Sequence, residues 1–369
     1  MIKLNIFLFN SNIFLFLLSS FLISSILTYV FIKERIIPNH FSNDINKGSQ
    51  KIHDGNIKRI GGFAIVFSFM LILTINELFF QDVTNYHLIY ISFYCAIIFM
   101  IGLSEDLIKD INPITRLFIL LATTCIWLVF SENLIRNTNI DFVDNIIAIE
   151  FFAVILSMIT INAALNATNM MDGANGLLTI FGICVSMILL YYAYNDNDIT
   201  LMIFLLTLIG SLFGFLVFNW PKGFIFLGDG GSYFIGAILS SVLIYMSNSL
   251  NNFNMLNALV IMIYPIWELV FTVFRRFYFS SKITHPDNLH LHTILNANIK
   301  KINFISNYNI NSNPLTGIII NIIALFPSTM FLIYKSDQNL QDFESIYFFM
   351  FLFSVYTSFY LIFRKINKS

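Results

Sequence analysis

Eleven separate stretches of mostly apolar residues punctuate this chain, each near the roughly 20 residues a helix needs to span a bilayer. They run at about 13–33, 61–80, 87–103, 114–131, 146–163, 176–194, 199–218, 231–247, 255–274, 314–334 and 345–363. Hydrocarbon offers no partners for backbone N–H and C=O groups, and a helix satisfies its own. Composition agrees: 57% of the 369 residues are hydrophobic, only 11% are charged, and the mean hydropathy is +0.77. That excludes a soluble domain of ordinary composition. The expected fold is an all-α integral membrane protein with about eleven transmembrane helices, forming one polytopic domain over residues 1–369. The first stretch has no small-residue cleavage site and ten more follow it, so it reads as a retained helix and not as a signal peptide. Cys95, Cys125 and Cys184 all fall inside spans. They read as small core residues, and no disulfide framework is implied.

Basic residues orient the chain. Of the 20 Lys and Arg, 17 fall at the ends of the loops that follow odd-numbered spans or in the C-terminal tail. Only Lys3, Arg136 and Lys335 lie on the other side, whose loops carry Glu77, Asp82, Asp141, Asp144, Asp196 and Asp198 instead. By the positive-inside rule the N-terminus is periplasmic, the C-terminus is cytoplasmic and the basic loops face the cytoplasm. Those loops are expected at about 34–60, 104–113, 164–175, 219–230 and 275–313.

Five polar clusters fall on that same face, although only their Lys and Arg members were used to place it. They are Gln50-Lys51-Ile-His53 with Arg59-Ile-Gly61-Gly62; Glu105-Asp106-Leu-Ile-Lys109; Asn166-Ala-Thr-Asn169-Met-Met-Asp172-Gly-Ala-Asn175-Gly-Leu177; Phe226-Leu-Gly228-Asp229-Gly230-Gly231-Ser232; and His285-Pro286-Asp287-Asn288-Leu-His290-Leu-His292. Each has an ordinary reading as a helix cap, a solvated helix end or a surface histidine. Their coincidence on one face argues for a site, because polar groups at a membrane boundary cost free energy unless they bind something. Carboxylates and carboxamides are hard oxygen ligands of the kind Mg²⁺ prefers, and Mg²⁺ keeps part of its coordination for substrate phosphates. Lys and Arg balance phosphate charge. A glycine-rich turn before a helix presents backbone N–H groups to an anion. The combined chemistry is phosphoryl transfer.

These motifs resemble those of the bacterial polyprenyl-phosphate N-acetylhexosamine-1-phosphate transferases, the glycosyltransferase family 4 superfamily. The resemblance covers about residues 13–363 and rests chiefly on Asn166–Leu177 and Phe226–Ser232. Pro286-Asp287-Asn-Leu-His290-Leu-His292, Gln50-Lys51-x-His53 and Arg59-x-Gly-Gly look more like the branch that starts O-antigen and related envelope glycans. The departures are Glu105 in place of an aspartate, Asn175 in place of a second aspartate, Thr293 in place of a third histidine, and no prolines between His53 and Arg59.

The resemblance implies an enzyme of the bacterial inner membrane with a cytoplasmic active site. It would move a HexNAc-1-phosphate from a UDP-N-acetylhexosamine to undecaprenyl phosphate and release UMP. Glu105, Asp106, Asp172 and Asp229 are the implied catalytic residues, with Asp106 or Glu105 taking or positioning the proton of the lipid phosphate. Mg²⁺, with Mn²⁺ as a substitute, is assigned to Asp229, Asn169 and Asp172. Lys51, His53, Arg59, Lys109, Asn166, Asn169, His290 and His292 are the implied substrate contacts. The partners are the UDP-sugar, undecaprenyl phosphate and the bilayer, with room for a homodimer and none for nucleic acid. A peptidoglycan-type phospho-N-acetylmuramoyl-pentapeptide transferase stays open, as does a secondary transporter. A transporter would place its ionisable groups near the bilayer midplane instead.

Overall fold

The structure, a computed structural model, describes residues 2–33, 57–79, 85–108, 112–278, 289–302, 305, 311–338 and 342–368. The helices of the first half are α1 (Ile2–Lys33), α2 (Gly61–Phe79), α3 (Tyr86–Ile108), α4 (Pro113–Ser131), α5 (Asp141–Ile147), α6 (Glu150–Met171) and α7 (Leu177–Asn195). The second half holds α8 (Ile199–Asn219), α9 (Gly228–Ser249), α10 (Met255–Ile261), α11 (Ile263–Tyr278), α12 (Leu291–Lys300), α13 (Ser312–Gln338) and α14 (Asp342–Lys368). Ten of these are long and apolar enough to cross a membrane, and α10 with α11 makes an eleventh.

Local chemistry sets several helix starts. Asn112 accepts from Ile114 N at 2.9 Å ahead of Pro113, which opens α4. Asp198 accepts from Leu201 N at 2.9 Å at the head of α8. Both place a short polar side chain over unpaired N–H groups of the first turn.

Three expectations change. The ninth stretch is not one straight span, because α10 and α11 meet at a 74° bend. The fifth span lies later than expected, at Glu150–Met171, so Asn166 and Asn169 sit on helix and not in a loop. That helix satisfies its own polar side chains: Asn162, Asn166 and Thr168 donate to the carbonyls of Met158, Asn162 and Ala164 at 2.9, 2.8 and 2.9 Å. The remaining shift is at 104–113 and 219–230, where α3 continues to Ile108 and α9 begins at Gly228. Glu105, Asp106 and Asp229 are therefore helix-terminal residues.

Helix α9 is the axis of the fold and packs against α2, α3, α6 and α7. Glycines make its closest contacts. A Cβ on Gly102 of α3 would lie 2.6 Å from the Gly230 Cα, and one on Gly62 of α2 would lie 2.5 Å from the Gly231 Cα. Gly236, further along α9, meets the Ala164 carbonyl of α6 in the same way. Such backbone contact suits a bilayer, where small residues at helix crossings gain dispersion that apolar bulk alone cannot supply. Helix α1 joins through hydroxyls: Ser24 donates to Ser211 O at 2.7 Å, and Ser68 of α2 reaches Ser211 Oγ at 3.0 Å.

Candidate active site

Four helix ends meet at one end of the bundle: the starts of α2 and α9 and the ends of α3 and α6. Backbone pairing brings the first two together. Phe226 N donates to Lys58 O, Gly61 N to Phe226 O and Gly62 N to Leu227 O, each at 2.9 Å. Gly228 follows at φ +80, where a Cβ would stand 2.3 Å from Arg59 O and 2.6 Å from Asp106 Oδ2. Only glycine tolerates both that backbone and that crowding. Asp229 is thereby set in the first turn of α9, beside Arg59.

The side chains interlock. Arg59 donates through a terminal guanidinium nitrogen to Asp229 Oδ1 at 2.9 Å, and its Nε lies 3.6 Å from Asp106 Oδ1. Asn169 Nδ2 donates to the same Asp229 oxygen at 3.0 Å and to Ser232 Oγ at 2.9 Å. Asp106 Oδ2 accepts from Gly230 N at 3.1 Å. It therefore caps α9 from a neighbouring helix, and that N–H is taken by a protein carboxylate. Glu105 points elsewhere and pairs with Arg116 of α4. The Asp106 side chain is 3% exposed and that of Asp229 is 24% exposed, so Asp229 is the more open of the two.

Asp172 caps the end of α6 and closes the same cluster. Burial pushes its carboxyl up to about 7, Arg59 works against that rise, and the charge of Asp229 adds to it. Two neighbouring carboxylates form a place that favours a divalent cation. The residues fit Mg²⁺: all are oxygen donors, and Mg²⁺ is usually held by one or two carboxylates with substrate phosphates completing it. No cage of three or more His, Cys, Asp or Glu occurs among the described residues. Asp229, Asp172 and Asn169 are the residues that would hold the ion.

A second layer lies against Asp172. His292 packs on Gly173, where a Cβ would overlap its Nε2 at 2.0 Å. The His292 and His290 rings stack at 5.5 Å with 1° between their planes. Behind them Glu268 of α11 meets His290 Nδ1 at 2.6 Å. Burial pushes His292 down to about 4, Glu268 opposes that and His290 adds to it, so His292 is neutral at pH 7. Its Nδ1 is buried without a partner among the described residues.

Comparison with known proteins follows the same residues. Residues 88–248 match the family described as glycosyl transferase family 4. The probable undecaprenyl-phosphate N-acetylglucosaminyl 1-phosphate transferase of Bacillus subtilis is 26% identical over 255 residues, 68% of each chain. The undecaprenyl-phosphate alpha-N-acetylglucosaminyl 1-phosphate transferase of Thermotoga maritima is 26% identical over 254 residues, 69% of this chain and 72% of its own. The phospho-N-acetylmuramoyl-pentapeptide-transferase of Leuconostoc mesenteroides is 44% identical over 75 residues, 20% of this chain and 23% of its own.

Over its matched residues the chain is similar to glycosyl transferase family 4.

The family match spans Glu105, Asp106, Asn166, Asn169, Asp172 and Asp229, while Arg59, His290 and His292 lie outside it. The structure brings Arg59, Asp106, Asn169, Asp172 and Asp229 into one cluster, with His290 and His292 beside it. Asn166 is turned back onto its own helix carbonyl and, among the described residues, makes no bond to the cluster. Asn175, the departure from the family pattern, is structural: its N–H donates to Asn313 Oδ1 at 2.6 Å and its Nδ2 to Pro221 O at 3.1 Å. Lys51, His53 and Lys109 lie outside the described residues. Sequence reasoning missed Glu268, the bond of Ser232 to Asn169 and the pairing role of Arg116. The signal for Glu268 was a lone carboxylate inside an apolar stretch.

Proposed function

We propose that this protein moves N-acetylhexosamine-1-phosphate from a UDP-sugar onto undecaprenyl phosphate at the cytoplasmic face of the bacterial inner membrane. The observation that carries the reading is the convergence of Asp106, Asp172 and Asp229 with Arg59 and Asn169 at one end of the bundle. A lipid phosphate oxygen attacks the β-phosphorus of the nucleotide sugar. The new P–O bond forms as the bond between the bridging oxygen and the β-phosphorus breaks, and UMP leaves with that oxygen. Bound Mg²⁺ would neutralise diphosphate charge and orient it. Arg59 balances phosphate charge and is held in line by Asp106 and Asp229. Asn169 fixes the Asp229 carboxylate. Asp106 is the member of the acidic pair beside the cluster and takes the lipid-phosphate proton, while Glu105 is occupied by Arg116. His290 and His292 face the sugar diphosphate.

The N-acetylglucosamine type is favoured because two relatives that span two thirds of this chain carry that name. The split His290-x-His292 pattern points the same way, and the product would start an O-antigen-like envelope glycan. The 75-residue match to a peptidoglycan-type transferase keeps that activity as the second reading. Transport is disfavoured, since the carboxylate cluster gathers at helix ends at one end of the bundle. The deciding experiment supplies purified protein with undecaprenyl phosphate, Mg²⁺ and a panel of UDP-N-acetylhexosamines. UMP release with UDP-N-acetylglucosamine is expected. Release only with UDP-N-acetylmuramoyl-pentapeptide would move the protein to the second reading, and none with any donor would end both.

A further inference from the structure

Glu268 is the least expected side chain in the fold. It sits on α11, just past the 74° bend, and its side chain is 1% exposed. A buried carboxylate costs several kcal/mol unless it is well paired. Here one oxygen meets His290 at 2.6 Å, the other makes no hydrogen bond of good geometry among the described residues, and the Tyr264 hydroxyl is its nearby polar neighbour. Glu268 therefore does not gain enough from local bonding to explain its place as packing alone. What it does accomplish is visible in the next atoms. A carboxylate against Nδ1 keeps a proton on that nitrogen and fixes the ring plane, which commits Nε2 to whatever lies on the far side. The His290 plane is matched by His292, and His292 rests on Gly173 beside Asp172. A continuous line runs from α11 through both rings to the carboxylate cluster.

We infer that Glu268 is a positioning residue that aims His290 at the diphosphate of the nucleotide sugar. This rests on the function proposed above. Glu268 touches neither substrate; it sets the tautomer and angle of a side chain that does. Its effect must therefore pass through His290, whereas a carboxylate that merely ties α11 to α12 would act on the fold whatever stands at 290.

A double-mutant cycle separates the two. E268Q keeps the shape and an acceptor oxygen but loses the charge, and H290A removes the ring. Steady-state kinetics would be measured for wild type, both single variants and the pair, with thermal stability in detergent alongside. E268Q is expected to raise KM for the UDP-sugar, or lower its kcat/KM, by about tenfold, a size usual for coupled neighbours. KM for undecaprenyl phosphate stays within about twofold, and E268D recovers part of the loss because its charge is kept. In the H290A background, adding E268Q changes kcat/KM by less than about twofold. An equal tenfold loss with and without His290 overturns the inference, as does a matching rise in KM for both substrates. Should E268Q fail to fold, the cycle is run with E268D, whose drawn-back carboxylate must again act only when His290 is present. Wild-type transfer with additive effects sinks this inference alone; absence of transfer from any UDP-sugar sinks the proposed function and this inference with it.

Discussion

Helices α9 and α14 are both long enough to cross a membrane, yet 94% of the spanning window of α9 is buried and only 17% of that of α14. The buried one is the less apolar. Helix α9 is built from Gly, Ser, Ala, Ile and Leu, with Tyr233 and Tyr245, while α14 presents Phe343, Met350, Phe351, Leu361 and Ile362 outward. In water the contrast would run the other way. In a bilayer, large apolar side chains gain nothing by leaving lipid for protein, whereas small ones let backbones touch. Low hydropathy therefore marks the helix at the centre, and that same helix delivers Asp229 to the site. Packing and the candidate site share one element: the glycines that seat α9 against α2 and α3 follow the carboxylate directly.

The comparison can be broken most forcefully at Asp229. Asp229→Asn replaces an exposed-side carboxylate without altering helix packing. Transfer is expected to fall about a thousandfold while the thermal midpoint holds, since a charged metal ligand supplies several kcal/mol. Near-normal turnover at limiting Mg²⁺ would remove Asp229 from the metal site.

A smaller effect tests the packing half. Gly102→Val puts a branched side chain where a Cβ already lies 2.6 Å from the Gly230 Cα. A loss of about 1–3 kcal/mol of stability is expected, with turnover falling as α9 is pushed away. An unchanged thermal midpoint would show that the glycine contact does not hold the helix.

Protonation gives the third test. With its carboxyl raised to about 7, Asp172 is neutral below that pH and charged above it. A metal ligand must be deprotonated, so Mn²⁺ affinity of substrate-free protein should fall about tenfold per pH unit below 7 and level off above. Asp172→Asn should flatten that slope, which titration calorimetry or Mn²⁺ paramagnetic resonance can follow. A wild-type slope in the variant would assign the proton to another group.

The smallest change is expected on α14. Phe351, 59% exposed, faces outward. Phe351→Leu should shift stability by less than about 0.5 kcal/mol and leave transfer intact. A loss like that at Gly102 would mean α14 is packed against something, and the contrast with α9 would fail.

Much of this was legible along the chain. Apolar length located the spans, and the Asn166–Asp172 and Phe226–Ser232 motifs carried the carboxylates and carboxamide of the cluster. The motif boundaries were misread as loops because Asn and Asp usually leave helices. In α6 Asn162, Asn166 and Thr168 instead bond their own helix backbone, while Asn169 reaches across to Asp229 and Ser232 of α9. Arg116 was counted only as a charge on one face, and its bond to Glu105 spans two helices that no local pattern relates. Glu268 and His290 stand 22 residues apart, a separation that no local pattern relates.

The amino-acid order by itself determined the class of fold, the number of spans and the residue types available for phosphate chemistry. These depend on local composition: transfer to hydrocarbon is decided stretch by stretch, and a motif keeps its spacing wherever the chain goes. Tertiary structure alone decided which carboxylate is open and which is tied, that Arg59 meets Asp229, that Asn166 turns away, and that a buried glutamate stands behind His290. Those outcomes depend on how closely helix backbones approach, and glycines far apart in the chain set that approach only when they meet.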